Sequence, residues 1–303
     1  MQPRSDLFAA AQSGDLEWIR GALHHDSSSI DQLDQKRWSA LHHAADRGYR
    51  AVCEELLVAG ADPNVRSGEL VKAGDLRRDW YWEPGDTPLI LAAAKRHRDV
   101  ADLLLGSGGD VRIGNRWGWK ALHAAVVSKD AQLVATFLTH GADPDVWCQM
   151  RNFDEELGWY TYGTALHVAA LYGASDAARV LLHQGAVERG CLLTARTPLM
   201  YAAAAGQAEV IGVLCEHGSP PNVREHRYEY DAFLDYAPLH YAARNGHLAA
   251  VAFLLAHGAE RRVRDSYSGQ TALEMAEDAG FSEIIEILTA KPPFLDIRAG
   301  SHA

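Results

Sequence analysis

A leucine followed three residues later by an alanine recurs along this chain, and that recurrence limits the fold more than any other feature of the sequence. The pairs are Leu7/Ala10, Leu41/Ala44, Leu89/Ala92, Leu122/Ala125, Leu166/Ala169, Leu199/Ala202, Leu239/Ala242 and Leu273/Ala276. Successive leucines are separated by 34, 48, 33, 44, 33, 40 and 34 residues. Seven residues after the leucine stands Gly14, Gly48, Gly173, Gly206, Gly246 or Gly280, while the two remaining units carry Arg96 and Lys129. Nineteen residues after it, the internal units carry Gly60, Gly108, Gly141, Gly185, Gly218 and Gly258, and the end units carry Asp26 and Pro292.

Each unit reads as two short helices and a turn. The small alanine lets neighbouring helices approach, and the first glycine ends the first helix where a left-handed residue is needed. A second helix follows, with apolar residues such as Val52, Leu56 and Leu57 on one side. After the second glycine comes a polar stretch rich in turn residues, as in Asp62-Pro-Asn64, Asp143-Pro-Asp145 and Pro220-Pro-Asn222. A unit this small cannot bury its own apolar face, so units must stack, and end units must be altered to meet water. The last unit turns polar early, with Glu274, Glu277 and Asp278.

These segments resemble the ankyrin family. The matching runs are Ser39-Ala-Leu-His-His-Ala-Ala-Asp-Arg-Gly48, Thr87-Pro-Leu-Ile-Leu-Ala-Ala93, Thr164-Ala-Leu-His-Val-Ala-Ala-Leu-Tyr-Gly173, Thr197-Pro-Leu-Met-Tyr-Ala-Ala203 and Pro238-Leu-His-Tyr-Ala-Ala-Arg-Asn-Gly246. The resemblance implies an all-α ankyrin-repeat solenoid of eight helix-turn-helix units with β-hairpin fingers. On this reading residues 1–291 form one repeat domain, both caps included, and 292–303 form a C-terminal tail in which Phe294, Leu295 and Ile297 pack back on the last unit.

The long intervals place extra residues in the polar stretch before units three, five and seven, at about 66–84, 148–162 and 224–236. The resemblance makes these lengthened fingers. They are rich in rings: Trp80 and Trp82 in the first, Trp159 and Tyr160 in the second, Tyr228 and Tyr230 in the third. Trp80/Trp82 and Tyr228/Tyr230 alternate with other residues, so each pair would project from one face of a strand. Fingers of alternate units would stand roughly 16–20 Å apart, wide enough for an extended peptide or a helix. Two readings remain open: rings that line a recognition groove, or rings that pack on one another to hold the hairpins.

The family contacts its partners through the finger before each leucine and through the end of the first helix. Carried onto this sequence, the finger positions are Trp38, Trp117, Trp119, Arg196, Tyr236 and Gln270. The helix-end positions are Asp46/Arg47, Ala94/Lys95, Val127/Ser128, Leu171/Tyr172, Ala204/Ala205 and Arg244/Asn245. This mixture of rings and both charge signs suits a peptide held by anchors and salt bridges.

Lys and Arg number 29 against 40 Asp and Glu, a net charge of −11. That balance argues against a nucleic-acid or anionic-membrane partner; it favours a basic partner, or does no more than keep the chain soluble. Cys53, Cys148, Cys191 and Cys215 form no CxxC pair, so no metal or redox motif is read, and a reducing compartment, the cytoplasm, is expected. Cys53 and Cys215 are expected to be buried. The start carries no apolar leader run, and no stretch is long enough for a membrane span.

Fifteen histidines invite an enzymatic reading. The resemblance makes His42, His123, His167 and His240 structural, bonding loop to helix. His43 and His97 fall off that register and are expected to face solvent. No HExxH, phosphate loop or GxSxG is present. The expected function is therefore a non-catalytic scaffold for a protein or peptide, monomeric and without cofactor or metal. Two alternatives stand beside it. One is a small-molecule-binding or enzymatic variant, with a pocket closed by the long fingers and Asp46, Arg47 or Asp79 as its polar groups. The other is a self-association surface.

Overall fold

The computed structural model describes residues 5–25, 29–68, 85–151, 160–191, 195–224, 227–229, 232–266 and 268–290. Among them are sixteen helices and four strands, divided between two compact units, residues 1–194 and 195–303.

The first unit holds α1 (Ser5–Ser13), α2 (Leu16–His25), α3 (Ala40–Arg47), α4 (Arg50–Val58), α5 (Pro88–Ala94), α6 (Arg98–Gly106), α7 (Ala121–Val127) and α8 (Ala131–Thr139). The hairpin β1 (Cys148–Arg151) and β2 (Tyr160–Gly163) follows, then α9 (Ala165–Tyr172) and α10 (Ser175–His183). Each odd-numbered helix packs on the even-numbered helix after it, and α1, α3, α5, α7 and α9 pack on one another in sequence. The second unit repeats the plan with α11 (Pro198–Ala204), α12 (Ala208–Glu216), β3 (Arg227–Glu229), β4 (Ala232–Leu234), α13 (Pro238–Arg244), α14 (Leu248–Ala256), α15 (Ala272–Ala279) and α16 (Ser282–Thr289). Here α11, α13 and α15 stack, as do α12, α14 and α16. The second and third insertions are antiparallel hairpins, as expected, with Cys148 opposite Gly163 and Arg227 opposite Leu234. The first insertion lies, from residue 69 on, outside the described residues.

The repeated leucines and alanines make the core. Leu41, Leu122, Leu166 and Leu199 are fully buried, as are Ala44, Ala92, Ala125, Ala169, Ala202, Ala242 and Ala276. Each buried leucine contributes about 1.5–3 kcal/mol relative to exposure. The outermost leucines, Leu7 and Leu273, are only half-buried; among the described residues no first helix lies beyond α1 or α15 to cover them.

The first helices begin in one way. Hydroxyls of Ser39, Thr87, Thr197 and Thr271 accept the amides of His42, Ile90, Met200 and Glu274. Where the third helical residue is histidine, its Nδ1 accepts the amide that precedes the helix, at 3.1 Å from Ser39, Lys120, Thr164 and Ala237. That bond leaves the ring proton on Nε2. His42, His123 and His240 donate it to the carbonyls of Asp86, Val146 and Val263, at 2.9, 3.3 and 3.1 Å. A buried ring fixed by two backbone groups has no room for a second proton. Burial is the main cause that pushes His42 down to about 4 and His123 to about 3, and it lowers His240 as well.

His43 is a correction. It is buried rather than solvent-facing, with Nε2 2.9 Å from the Asp34 carboxylate. His97 is half-buried and bonds the Asp46 carbonyl at 3.0 Å. Cys53 is buried as expected, but Cys215 is only half-buried.

Candidate partner-binding surface

The short fingers are built on an aspartate or asparagine that caps its own turn. Asp34 Oδ1 accepts the amides of Lys36 and Trp38 at 2.8 and 2.9 Å. Asn115 Oδ1 accepts those of Trp117 and Trp119, both at 3.0 Å. Asp265 accepts those of Ser268 and Gln270 at 2.7 and 3.0 Å. In the first unit successive fingers touch: the Gly68 amide donates to the Arg37 carbonyl, the Asn115 amide group to Asp86, and the Gln149 amide to the Trp117 carbonyl.

The ring that follows the turn folds back on the first helix. Trp38 lies 5.1 Å from His43, Trp119 lies 5.3 Å from His123, and Tyr236 stacks on His240 at 5.8 Å with its edge to Tyr241 at 5.4 Å. Trp38 and Tyr236 are buried, at 4% and 7% exposure. These two expected contact residues therefore offer a partner almost no surface. Arg196 is also buried, its guanidinium 4.7 Å above Tyr241. Trp119 is half-buried; so is Trp117, beneath the guanidinium of exposed Arg116 at 5.5 Å.

At the other end of the first helices, short loops lead into the second helices. In the first unit these loops carry exposed Arg47 and Arg50, then Lys95, Arg96 and Arg98, then Lys129. Asp46 is half-buried there. Asp130 is buried at the head of α8, where it accepts two bonds from Arg98 at 2.8 and 3.0 Å and the Leu133 amide at 3.1 Å. Burial alone would raise the Asp130 carboxyl. The Arg98 and Leu133 bonds, with the charges of Arg98 and Arg96, outweigh it and hold the group below its ordinary range. Two polar clefts open to solvent are present among the described residues, one along Asn64, Gly108–Arg112 and His140, the other along Arg50, Asp99, Asp102 and Leu103.

Family models for ankyrin repeats match the chain at residues 36–68, 69–147, 149–225 and 226–299. The chain belongs to the ankyrin-repeat family. It is 27% identical over 220 residues to a palmitoyltransferase AKR1 of Lachancea kluyveri, covering 71% of this chain and 27% of that protein. It is 28% identical over 212 residues to human SH3 and multiple ankyrin repeat domains protein 2, covering 70% and 10%. It is 27% identical over 169 residues to the mouse B-cell lymphoma 3 protein homolog, covering 55% and 36%. The chain thus spans between 10% and 36% of these relatives' own length. Ankyrin repeats are scaffolds for protein–protein interaction and are generally not catalytic. No helix among the described residues is long and apolar enough to cross a membrane.

Against that family frame the helix-end positions stand exposed at Arg47, Lys95, Arg244 and Asn245, while Tyr172 is half-buried. Asn245 donates to the Ala204 carbonyl at 2.9 Å. Trp80, Trp82, Trp159 and Tyr230 lie outside the described residues, as do the side chains of Tyr160 and Tyr228, whose backbones lie on β2 and β3. The repeat register had set Arg96 and Lys129 apart only as departures from glycine. Their place beside Arg47 and Lys95 is visible only once the loops are side by side.

Proposed function

We propose that this ankyrin-repeat protein is a non-catalytic scaffold that binds a protein or peptide segment along its helix-end loops and the half-buried rings of its fingers. One observation carries the reading. The frame is closed by groups that a partner does not need: buried leucines and alanines, backbone carbonyls, and histidines bonded to them. The residues that vary between units, Arg47, Lys95, Trp117, Trp119, Tyr172, Arg244 and Asn245, reach solvent wholly or in part, although Trp119 also packs on His123 and Asn245 also bonds the Ala204 carbonyl. Side chains of this mixed kind, a few rings among charges, are what transient interfaces use. The buried thiols Cys53 and Cys148, the first pushed up to about 12 by burial, suit the reducing cytoplasm.

The test is affinity capture from a native lysate with wild type and with Arg47→Ala/Lys95→Ala/Trp117→Ala, whose helicity is first checked by circular dichroism. Loss of a partner in the variant supports the scaffold reading. Recovery of the same partners by both proteins sinks it for these residues.

A further inference from the structure

The loops after α3, α5 and α7 carry six exposed cations: Arg47, Arg50, Lys95, Arg96, Arg98 and Lys129. The carboxylates among them are half-buried Asp46, buried Asp130 and exposed Asp99, and Glu54 lies 3.2 Å from Arg50, so the cations lead by six to four. The loops are in register, since His97 bonds the Asp46 carbonyl at 3.0 Å and Arg96 lies 3.7 Å from Asp130. In a chain of net charge −11 this is a local reversal of sign. It is also bounded. The loop after α1 carries exposed Asp15 and Glu17 and the loop after α9 exposed Asp176, in each case with no cation beside them.

A second, independent observation concerns the backbone. Arg96 and Lys129 have φ of +62° and +56°, the left-handed region that Gly48 and Gly206 occupy at the same step of their units, at +73° and +71°. A side chain there costs about 1–2 kcal/mol that glycine avoids. A cation near a helix C-terminus favours the helix dipole, but the other units close the turn without one. Strain kept at two adjacent positions, both filled by long cations, marks side chains retained for what they contact.

We propose that these three loops bind an acidic polypeptide segment, which rests on the scaffold reading above and names the chemistry of its partner. Units stack about 8–10 Å apart, so three loops span about 16–20 Å. An extended chain rises about 3.3 Å per residue; about six residues cover the patch, and carboxylates at every third position meet successive loops. A nucleic acid is the less suitable polyanion, because a longer run of phosphates meets Asp15, Glu17 and Asp176 at the margins and a repulsive net charge beyond. The overall acidity alone favoured a basic partner; the local charge at these loops favours the opposite sign.

The probe is a fluorescein-labelled nonapeptide with glutamate at every third position, followed by anisotropy on the full chain at about 50 mM salt, where the Debye length is still longer than the contact distances. Its glutamine counterpart and a nine-nucleotide oligothymidylate are the controls. The variant is Arg96→Gly/Lys129→Gly, which restores the residue other units use and so keeps the fold; its melting temperature should equal or exceed that of the wild type. The glutamate peptide should bind at least ten-fold tighter than the glutamine peptide, and the double variant should lose about ten-fold. Equal binding of the two peptides, undiminished binding by the variant, or tighter binding of the oligonucleotide would each overturn the proposal. If the variant still captures the wild-type partners from lysate, the acidic-segment proposal falls while the scaffold reading stands.

Discussion

The turn between first and second helix is closed in two ways, and the two units divide them unequally. In the second unit Gly206 and Gly246 sit in the left-handed region, and the next unit lays a ring over each: an added Cβ would come within 2.7 Å of His247 and 2.8 Å of Phe281. The first unit uses the same device at Gly14, beneath Tyr49, and at Gly48, beneath His97, but not in the next two repeats. Arg96 replaces glycine, and the residue that would be the covering ring is Asp130; Lys129 replaces glycine, and the covering position is the small, buried Ala174. The lesson is that these two positions change together. A glycine permits a ring above it, whereas a side chain in its place demands a neighbour that is small or of opposite charge.

Grafting the first unit's solution onto the second should give the largest effect. Gly206→Arg, with His247 left in place, is expected to cost about 3 kcal/mol, since the new Cβ and the ring cannot both be accommodated. Urea unfolding measures it, and an unchanged midpoint would mean that the ring gives way freely. Acid comes next. His42 and His123 are neutral when folded, with their pKa values depressed to about 4 and about 3, while the unfolded chain takes up protons below about 6.5. Their contribution is complete above pH 6.5 and is lost as pH falls toward those values, about 2 kcal/mol for each at pH 5. Amide exchange at pH 7 and pH 5 should show protection around α3 and α7 falling; constant protection there would refute the neutral, doubly bonded ring. Asp130→Ala comes third, at about 2 kcal/mol, because Arg98 and the Leu133 amide lose their acceptor. Lys129→Gly should be smallest and of opposite sign, a gain of up to about 1 kcal/mol in the same unfolding assay.

The repeat register was legible in the sequence because each unit repeats the same packing problem. Leucine, alanine and glycine at fixed offsets gave the helix pairs, and the surplus residues marked the hairpins at 148–162 and 224–236. The structural role of His42, His123 and His240 was what the family resemblance implied. What the register could not settle was the fate of side chains that depart from it. His43 looked exposed by position, yet Asp34 of the preceding finger draws it inside. Trp38 and Tyr236 looked like contact residues, yet each lies over a histidine one turn away in its own unit. Such outcomes depend on which neighbour a ring finds, and no spacing rule carries that. The cationic loops were missed for a related reason. Arg47, Lys95 and Lys129 are remote in sequence and meet only through stacking.

The histidine bridge has a consequence for how such a chain can change. For His42, His123 and His240 the acceptor is a main-chain carbonyl, so Asp86, Val146 and Val263 need share nothing in their side chains. His123 and His240 grip the residue 23 positions on, whereas His42 reaches 44 positions on, past the first insertion in the sequence, to Asp86. A fastening that recognises only the peptide group tolerates rewriting or lengthening of what it fastens. Fingers held this way can be exchanged one at a time, each free to acquire a new ligand while its neighbours keep theirs.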